Sequence, residues 1–249
     1  MIGPAVAVFI GVSIVVTSFI SGLFGMAGGL ILLGIMLFFL DVAMAMVLFA
    51  IVQIGSDGWR SLLWRKLVVW PIVWRYVIGA TVAFLGMRLV SFVPDKALIY
   101  LTLGSIVFAA DLLPRALTPD ITRPGAPYIC GLFIMTLQLI AGAAGHVLDM
   151  FFQKSDLDRR AIVATKAVCQ TAGHVFRIAF FGSLANAWDT TLPVWQYPAA
   201  IGLSLVGTSL AAMVLLRMTN ENFRQWSRRV VVGISVVYLV RGAWLLLAG

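Results

Sequence analysis

The chain predicts an all-α integral membrane protein built from two inverted repeats, each a glycine-broken helical hairpin followed by about three transmembrane helices. Three observations carry that prediction. Of 249 residues, 61% are hydrophobic and 11% charged, whereas soluble domains carry about 25% charged residues. Apolar segments near the roughly 20 residues that a bilayer requires recur from end to end, and the mean hydropathy is +1.02. Two runs of glycine and alanine then interrupt this apolar sequence: Phe24-Gly25-Met26-Ala27-Gly28-Gly29 and Ala141-Gly142-Ala143-Ala144-Gly145-His146. Glycine costs about 1 kcal/mol in a helix interior. Clustered glycines deep in apolar segments therefore predict discontinuous helices, which in transporters are where substrate binds.

The composition also excludes function classes. The net charge of +8 would suggest nucleic acid in a soluble protein. Here Lys and Arg gather in short loops, as the positive-inside rule expects, and no nucleic-acid partner is expected. The two cysteines, Cys130 and Cys169, lie in apolar segments without metal-ligand spacing. They read as small buried hydrophobes, and neither a metal nor a cofactor is expected. The first Lys or Arg in the sequence is Arg60, so the opening apolar stretch lacks the basic start of a secretory signal and is expected to stay in the mature protein.

In chain order, residues 2–22 form the first apolar segment and the first glycine break follows. Leu30–Leu40 is a short piece of about 16 Å, too short to span alone. Residues 42–63 carry Gln53, Asp57 and Arg60; residues 67–92 and 97–113 are two more segments. Residues 114–127 are a linker, with Pro114, Pro119, Pro124, Gly125 and Pro127. It divides a first membrane repeat, 1–113, from a second, 128–249. In the second repeat, 128–141 leads to the glycine break and a short piece follows at 146–152. Residues 161–184 carry Lys166, Gln170, His174 and Arg177. Spans at 194–216 and 230–248 flank a basic connection holding Arg217, Arg224, Arg228 and Arg229.

The two halves match at a constant offset of 117 residues: Gly25 falls on Gly142, Gly28 on Gly145, Asp41 on Asp158, Gln53 on Gln170 and Arg60 on Arg177. Gln is rare in apolar segments, so Gln and Arg matching at one offset is informative. With four more residues inserted, Trp74 and Tyr76 meet Trp195 and Tyr197. Equivalent loops carry opposite charge. Residues 60–66 hold three Lys or Arg and their counterpart 182–193 none; the loop at Asp41 holds none and its counterpart 154–160 three. Opposite bias places equivalent loops on opposite sides of the membrane, as inverted repeats require. The threading that follows has both hairpin tips near the midplane and both termini outside. The alternative is that residues 2–22 cross fully, in a conventional count of eight to ten spans.

The expected site lies where the tips meet. Two half-helices starting at the glycine breaks would present unpaired N–H groups and partial positive charge, an anion site. Gly25, Gly28, Gly29, Gly142 and Gly145 would let the backbone approach the ligand. Gln53 and Gln170 lie near mid-depth, and a carboxamide can donate to an oxyanion without carrying charge; the alternative is interhelical hydrogen bonding. Arg60 and Arg177, two turns further along, would draw an anion in at each mouth, or else snorkel to the headgroups. His146, at the second break, would touch substrate or simply pack. Lys166, Asp57 and His174 are intramembrane ionisable groups on the faces of the two glutamines, and Asp57 and His174 are candidate proton carriers. No catalytic residues are expected. An intramembrane enzyme would need a nucleophile–base pair or a metal cluster, and the chain has only two histidines. An anion channel is the other competing class.

The length, the two-half layout, the Gly25–Gly29 run after the first apolar stretch and its echo at Gly142–Gly145 resemble the TauE/SafE family of sulfite exporters, of the 4-toluene sulfonate uptake permease type. The echo departs from the family's more glycine-rich pattern, reading Gly142-Ala143-Ala144-Gly145-His146. The resemblance implies a multi-pass secondary transporter of the bacterial inner membrane. It would move a small sulfur-containing anion such as sulfite or a sulfonate, in an exporter's direction, by alternating access. It also implies membrane lipid as surroundings and makes a homodimer plausible.

Overall fold

The computed structural model describes residues 4–24, 27–90, 92–112, 119–184, 193–215 and 220–248. These residues are almost entirely helical. The first half comprises α1 (Pro4–Phe24), α2 (Ala27–Phe39), α3 (Val42–Leu63), α4 (Trp70–Val90) and α5 (Lys96–Leu112). The second comprises α6 (Ala126–Ala141), α7 (Gly145–Phe152), α8 (Arg159–Phe181), α9 (Gln196–Leu215) and α10 (Asn220–Ala248). A single 3-10 turn, Arg65–Leu67, joins α3 to α4. No strand occurs among the described residues.

Four segments are long and apolar enough to cross a membrane: Ala5–Leu23, Val42–Leu63, Trp70–Val90 and Arg229–Leu247. Shorter apolar helices cover Ala27–Phe39, Lys96–Ala109 and Ala126–Ala141. The outward faces suit lipid. Val8, Val12, Ile78, Val82, Leu85, Ile129, Phe133, Val237 and Val240 are all exposed, an apolar belt that water would penalise. Several hydroxyls within the helices are satisfied locally: Ser13 donates to the Phe9 carbonyl, Thr17 to Ser13, Thr81 to Val77 and Ser235 to Val231. Back-bonding of this kind lets Ser and Thr sit in an apolar medium without an orphaned donor.

At the centre, α3 lies against α8. On the flanks α1 packs on α9, α4 on α6, and α5 on α10. The α4–α6 crossing is close enough that a Cβ on Gly79 would overlap the Tyr128 carbonyl, and one on Gly131 the Tyr76 carbonyl. Small residues at the contact let the backbones meet, which is how helices associate when lipid removes the hydrophobic drive between them. The Ser56 and Thr208 hydroxyls meet at 3.0 Å and tie α3 to α9. The Val69 N–H donates to Thr165 Oγ1 at 3.0 Å and ties the α3–α4 connection to α8.

The helix limits depart from the sequence expectation in several places. α2 begins at Ala27, so Gly28 and Gly29 are helical rather than part of the break. The basic stretch read as a connection is helical from Asn220 onward, because nothing between 217 and 229 breaks a helix: no Gly and no Pro occurs there. At 29 residues α10 is about 44 Å long, more than the hydrocarbon needs. α6 begins two residues earlier than expected, with Pro127 in its first turn, where a missing N–H costs nothing. Residue 113, residues 114–118 of the linker, the stretch 185–192 and the first-run residues Gly25 and Met26 lie outside the described residues.

Candidate functional site

The second break is a left-handed turn. Gly142 ends α6 with φ 82°, a conformation only glycine takes cheaply, and its N–H donates to the Gln138 carbonyl at 3.0 Å. A Cβ there would also press on Leu33 and Met46. The chain turns through Ala143 and Ala144, and α7 starts at Gly145. In the first half, α1 ends at Phe24 and α2 begins at Ala27. Each helix start leaves its first N–H groups without intrahelical partners.

These starts open on a shared cavity of about 60 Å³, lined by residues from five helices and the turn between α6 and α7: Gly29, Leu30, Phe49, Gln53, Arg60, Gln138, Ala143, Ala144, Gly145, Asp149, Lys166, Gln170 and His174. Roughly 10–15 Å³ of such space already holds one water, so the cavity suits a few waters or one small anion. Gln53 is the twelfth residue of α3, and Gln170 the twelfth of α8. Both breaks therefore lie level with the middles of the two central helices. A Cβ on Gly29 would sit 3.1 Å from Gln53 Nε2; glycine brings that carboxamide directly over the first turn of α2.

Behind the cavity runs a chain of charge that crosses from α3 to α8. Arg60 pairs with Asp57, one turn earlier on α3. Asp57 Oδ2 lies 3.4 Å from His174 Nε2, and His174 Nδ1 lies 3.2 Å from Arg177 Nη1. A guanidinium has only donors. His174 Nδ1 must therefore accept, which assigns the proton to Nε2, facing Asp57. Arg177 also donates from Nη2 to the Gln138 carbonyl at 3.4 Å, and its guanidinium stands 5.2 Å from the centre of the Phe49 ring. Asp57 and Arg177 are completely buried. Asp57 and His174 lie 117 residues apart in the sequence, as do Arg60 and Arg177, and the four side chains make one continuous chain.

Among the expected site residues, Gly29, Gln53, Arg60, Gly145, Lys166, Gln170 and His174 line one cavity. The others do not. Gly28 faces α1, where a Cβ would overlap the Thr17 carbonyl and Ser21. Gly142 shapes the turn behind the cavity, and His146 follows Gly145 on α7 without lining it. Asp57 sits behind Arg60. The expectation that Arg177 stands at a mouth is corrected: its exposure is 0%, because its head turns inward to the Gln138 carbonyl and His174 rather than along α8 toward an interface. Gly25 lies outside the described residues.

Two lining side chains were not anticipated. Gln138, on the last turn of α6, is buried with its Oε1 unpartnered. Asp149, on α7, forms an ion pair with Lys166 of α8. The signal for both was a polar residue within four or so positions of a glycine break.

A family model described as sulfite exporter TauE/SafE matches residues 9–240, nearly the whole chain. No curated protein and no solved structure matches it.

Proposed function

The chain belongs to the TauE/SafE family of sulfite exporters, a family of membrane transporters and not of enzymes, and from that premise we propose that it exports a small sulfur oxyanion by alternating access around the cavity at the glycine breaks. The observation that carries this reading is the convergence, on about 60 Å³, of two helix starts, two mid-helix carboxamides and the cations Arg60 and Lys166. Helix N-termini and amides bind an oxyanion through hydrogen bonds. Binding by dipoles and few full charges is reversible, as a carrier needs.

On this reading residues 1–113 and 128–249 are inverted repeats joined by the linker 114–127. The packing supports it. Exchanging the halves turns the α1–α9 contact into the α6–α4 contact, and leaves α3–α8 and α5–α10 as they are. The opposite charge of equivalent loops supports it as well. Gly29, Gln53, Gly145 and Gln170 hold the anion, with Lys166 and Arg60 supplying charge. Gly25 and Gly142 shape the two breaks, Gly28 seats α2 against α1, and His146 stands beside the second break. Asp57 and His174 carry the coupling proton: protonating Nδ1 of His174 sets an N–H against Arg177, so a loaded proton rearranges the chain between α3 and α8. The protein resides in a bacterial inner membrane and works as a homodimer.

Counterflow in proteoliposomes tests the transport reading. Unlabelled sulfite inside should drive transient accumulation of labelled sulfite, saturable and abolished in Gln170→Leu. Simple equilibration without overshoot would mean a channel.

A further inference from the structure

We propose that Asp149 is a tethered counter-ion that competes with the transported anion for Lys166, so that loading the cavity unties α7 from α8. This rests on the transporter reading of the same cavity.

Two carboxylates serve this centre, and they are placed differently. Asp57 is 0% exposed and has a partner on each side, Arg60 on its own helix and His174 Nε2 at 3.4 Å on α8. Displaced, it would be a charge stranded in apolar surroundings, which is costly. Asp149 joins two different helices through Lys166, and its side chain keeps 35% of its exposure. Its Oδ1 is buried, but the side chain lines the cavity and is not sealed in as Asp57 is, so the tie can be exchanged. Its helix, α7, is short, with eight residues, and follows the left-handed turn at Gly142. At its far end the Phe151 carbonyl accepts the Ile121 N–H at 2.9 Å.

The charged groups around the cavity are Arg60 and Asp57 on α3, Asp149 on α7, and Lys166, His174 and Arg177 on α8. Asp57 occupies Arg60. In the empty state Asp149 occupies Lys166, so the carrier closes without an unpaired ammonium facing its centre. A sulfur oxyanion offers Lys166 the same charge-assisted hydrogen bond. It also accepts from the helix starts at Gly29 and Gly145 and from Gln53 and Gln170. Asp149 therefore has a distinct part in each half of the cycle: it yields to substrate, then neutralises the empty site for the return.

Net export requires the empty carrier to return, whereas exchange does not. Asp149→Asn should separate them. Purified wild type and Asp149→Asn, reconstituted in proteoliposomes, are assayed with labelled sulfite in counterflow and in net efflux. The variant should keep counterflow, with half-saturation lowered about fivefold, the size of effect expected for a partly exposed ion pair, while net efflux falls by a similar factor. Asp149→Ser carries the same expectation should the asparagine variant fail to fold. Half-saturation that is unchanged or raised, or counterflow and net efflux falling together, would overturn the proposal while leaving wild-type transport intact. Absence of counterflow in the wild type would remove the transport reading and this inference with it.

Discussion

In the first hairpin, α2 is 13 residues long and tied by hydrogen bonds from two tyrosines; in the second, α7 has eight residues, six of them buried, and is tied by an ion pair. Gly28 beds α2 against Thr17 and Ser21 of α1. The Tyr238 hydroxyl donates to the Leu30 carbonyl, and the Tyr100 hydroxyl to the Gly34 carbonyl at 3.1 Å. The two tyrosine rings brace each other edge-on, 5.3 Å apart. α7 has the Gly142 turn before it, the Ile121–Phe151 hydrogen bond after it, and the exchangeable Asp149–Lys166 pair between. Halves that match in sequence therefore differ in anchorage. The first helix start is tied by tyrosine hydroxyls to backbone carbonyls, and the second by an ion pair that a ligand can exchange.

Substitutions test that contrast, beginning with the largest effect. Gly29→Leu puts a branched side chain into a space of about 60 Å³, beginning 3.1 Å from Gln53 Nε2. Sulfite transport and sulfite-induced stabilisation should both vanish while the helical circular dichroism stays. Gly145→Leu should do the same from the second half, and retained transport in either would take that helix start out of the site. Gln53→Leu and Gln170→Leu should each weaken binding about tenfold or more, the effect of losing a hydrogen bond to a charged ligand, measured by titration calorimetry. An effect from Gln170 alone would confine the site to the second half.

Asp57→Asn strips the buried carboxylate from Arg60 and His174 and should cost about 3 kcal/mol of stability, read as a lower melting temperature. An unchanged melting temperature would mean that the chain between α3 and α8 does not hold the centre. Gly142→Ala forces a left-handed conformation that costs about 1–2 kcal/mol. It should slow transport more than it weakens binding if α7 turns there. The smallest effect is expected from Tyr238→Phe, which loses one hydrogen bond to α2, about 1 kcal/mol, with the sulfite affinity unchanged. A larger loss in transport than in stability would show that α2 moves as well, and the contrast between the hairpins would fail.

Much of this architecture is legible in the sequence, and for a physical reason. In an apolar chain every glycine cluster, glutamine and charge is costly, so each stands out against its surroundings. That is why Gln53, Gln170, Lys166 and the two glycine runs lead to one cavity. What escaped is what depends on side-chain direction. Arg177 matches Arg60 in position and spacing, yet one is buried against Gln138 and the other lines the cavity. Asp149 sits in a short apolar piece where one acid looks incidental until α8 brings Lys166 to it. The basic run before the last span reads as a loop by its charge, and it is helical because charge does not break a helix while Gly and Pro do.

The most direct test of the central claim is thermal stabilisation of the purified protein by sulfite, sulfate, thiosulfate, sulfoacetate, taurine and simple carboxylates, repeated in Gln53→Ala and Gln170→Ala. A ligand at about 100 times its Kd stabilises the folded state by about 2.7 kcal/mol. The account predicts stabilisation by a small sulfur oxyanion that disappears in both variants. Stabilisation that survives in both would place the anion elsewhere and contradict it.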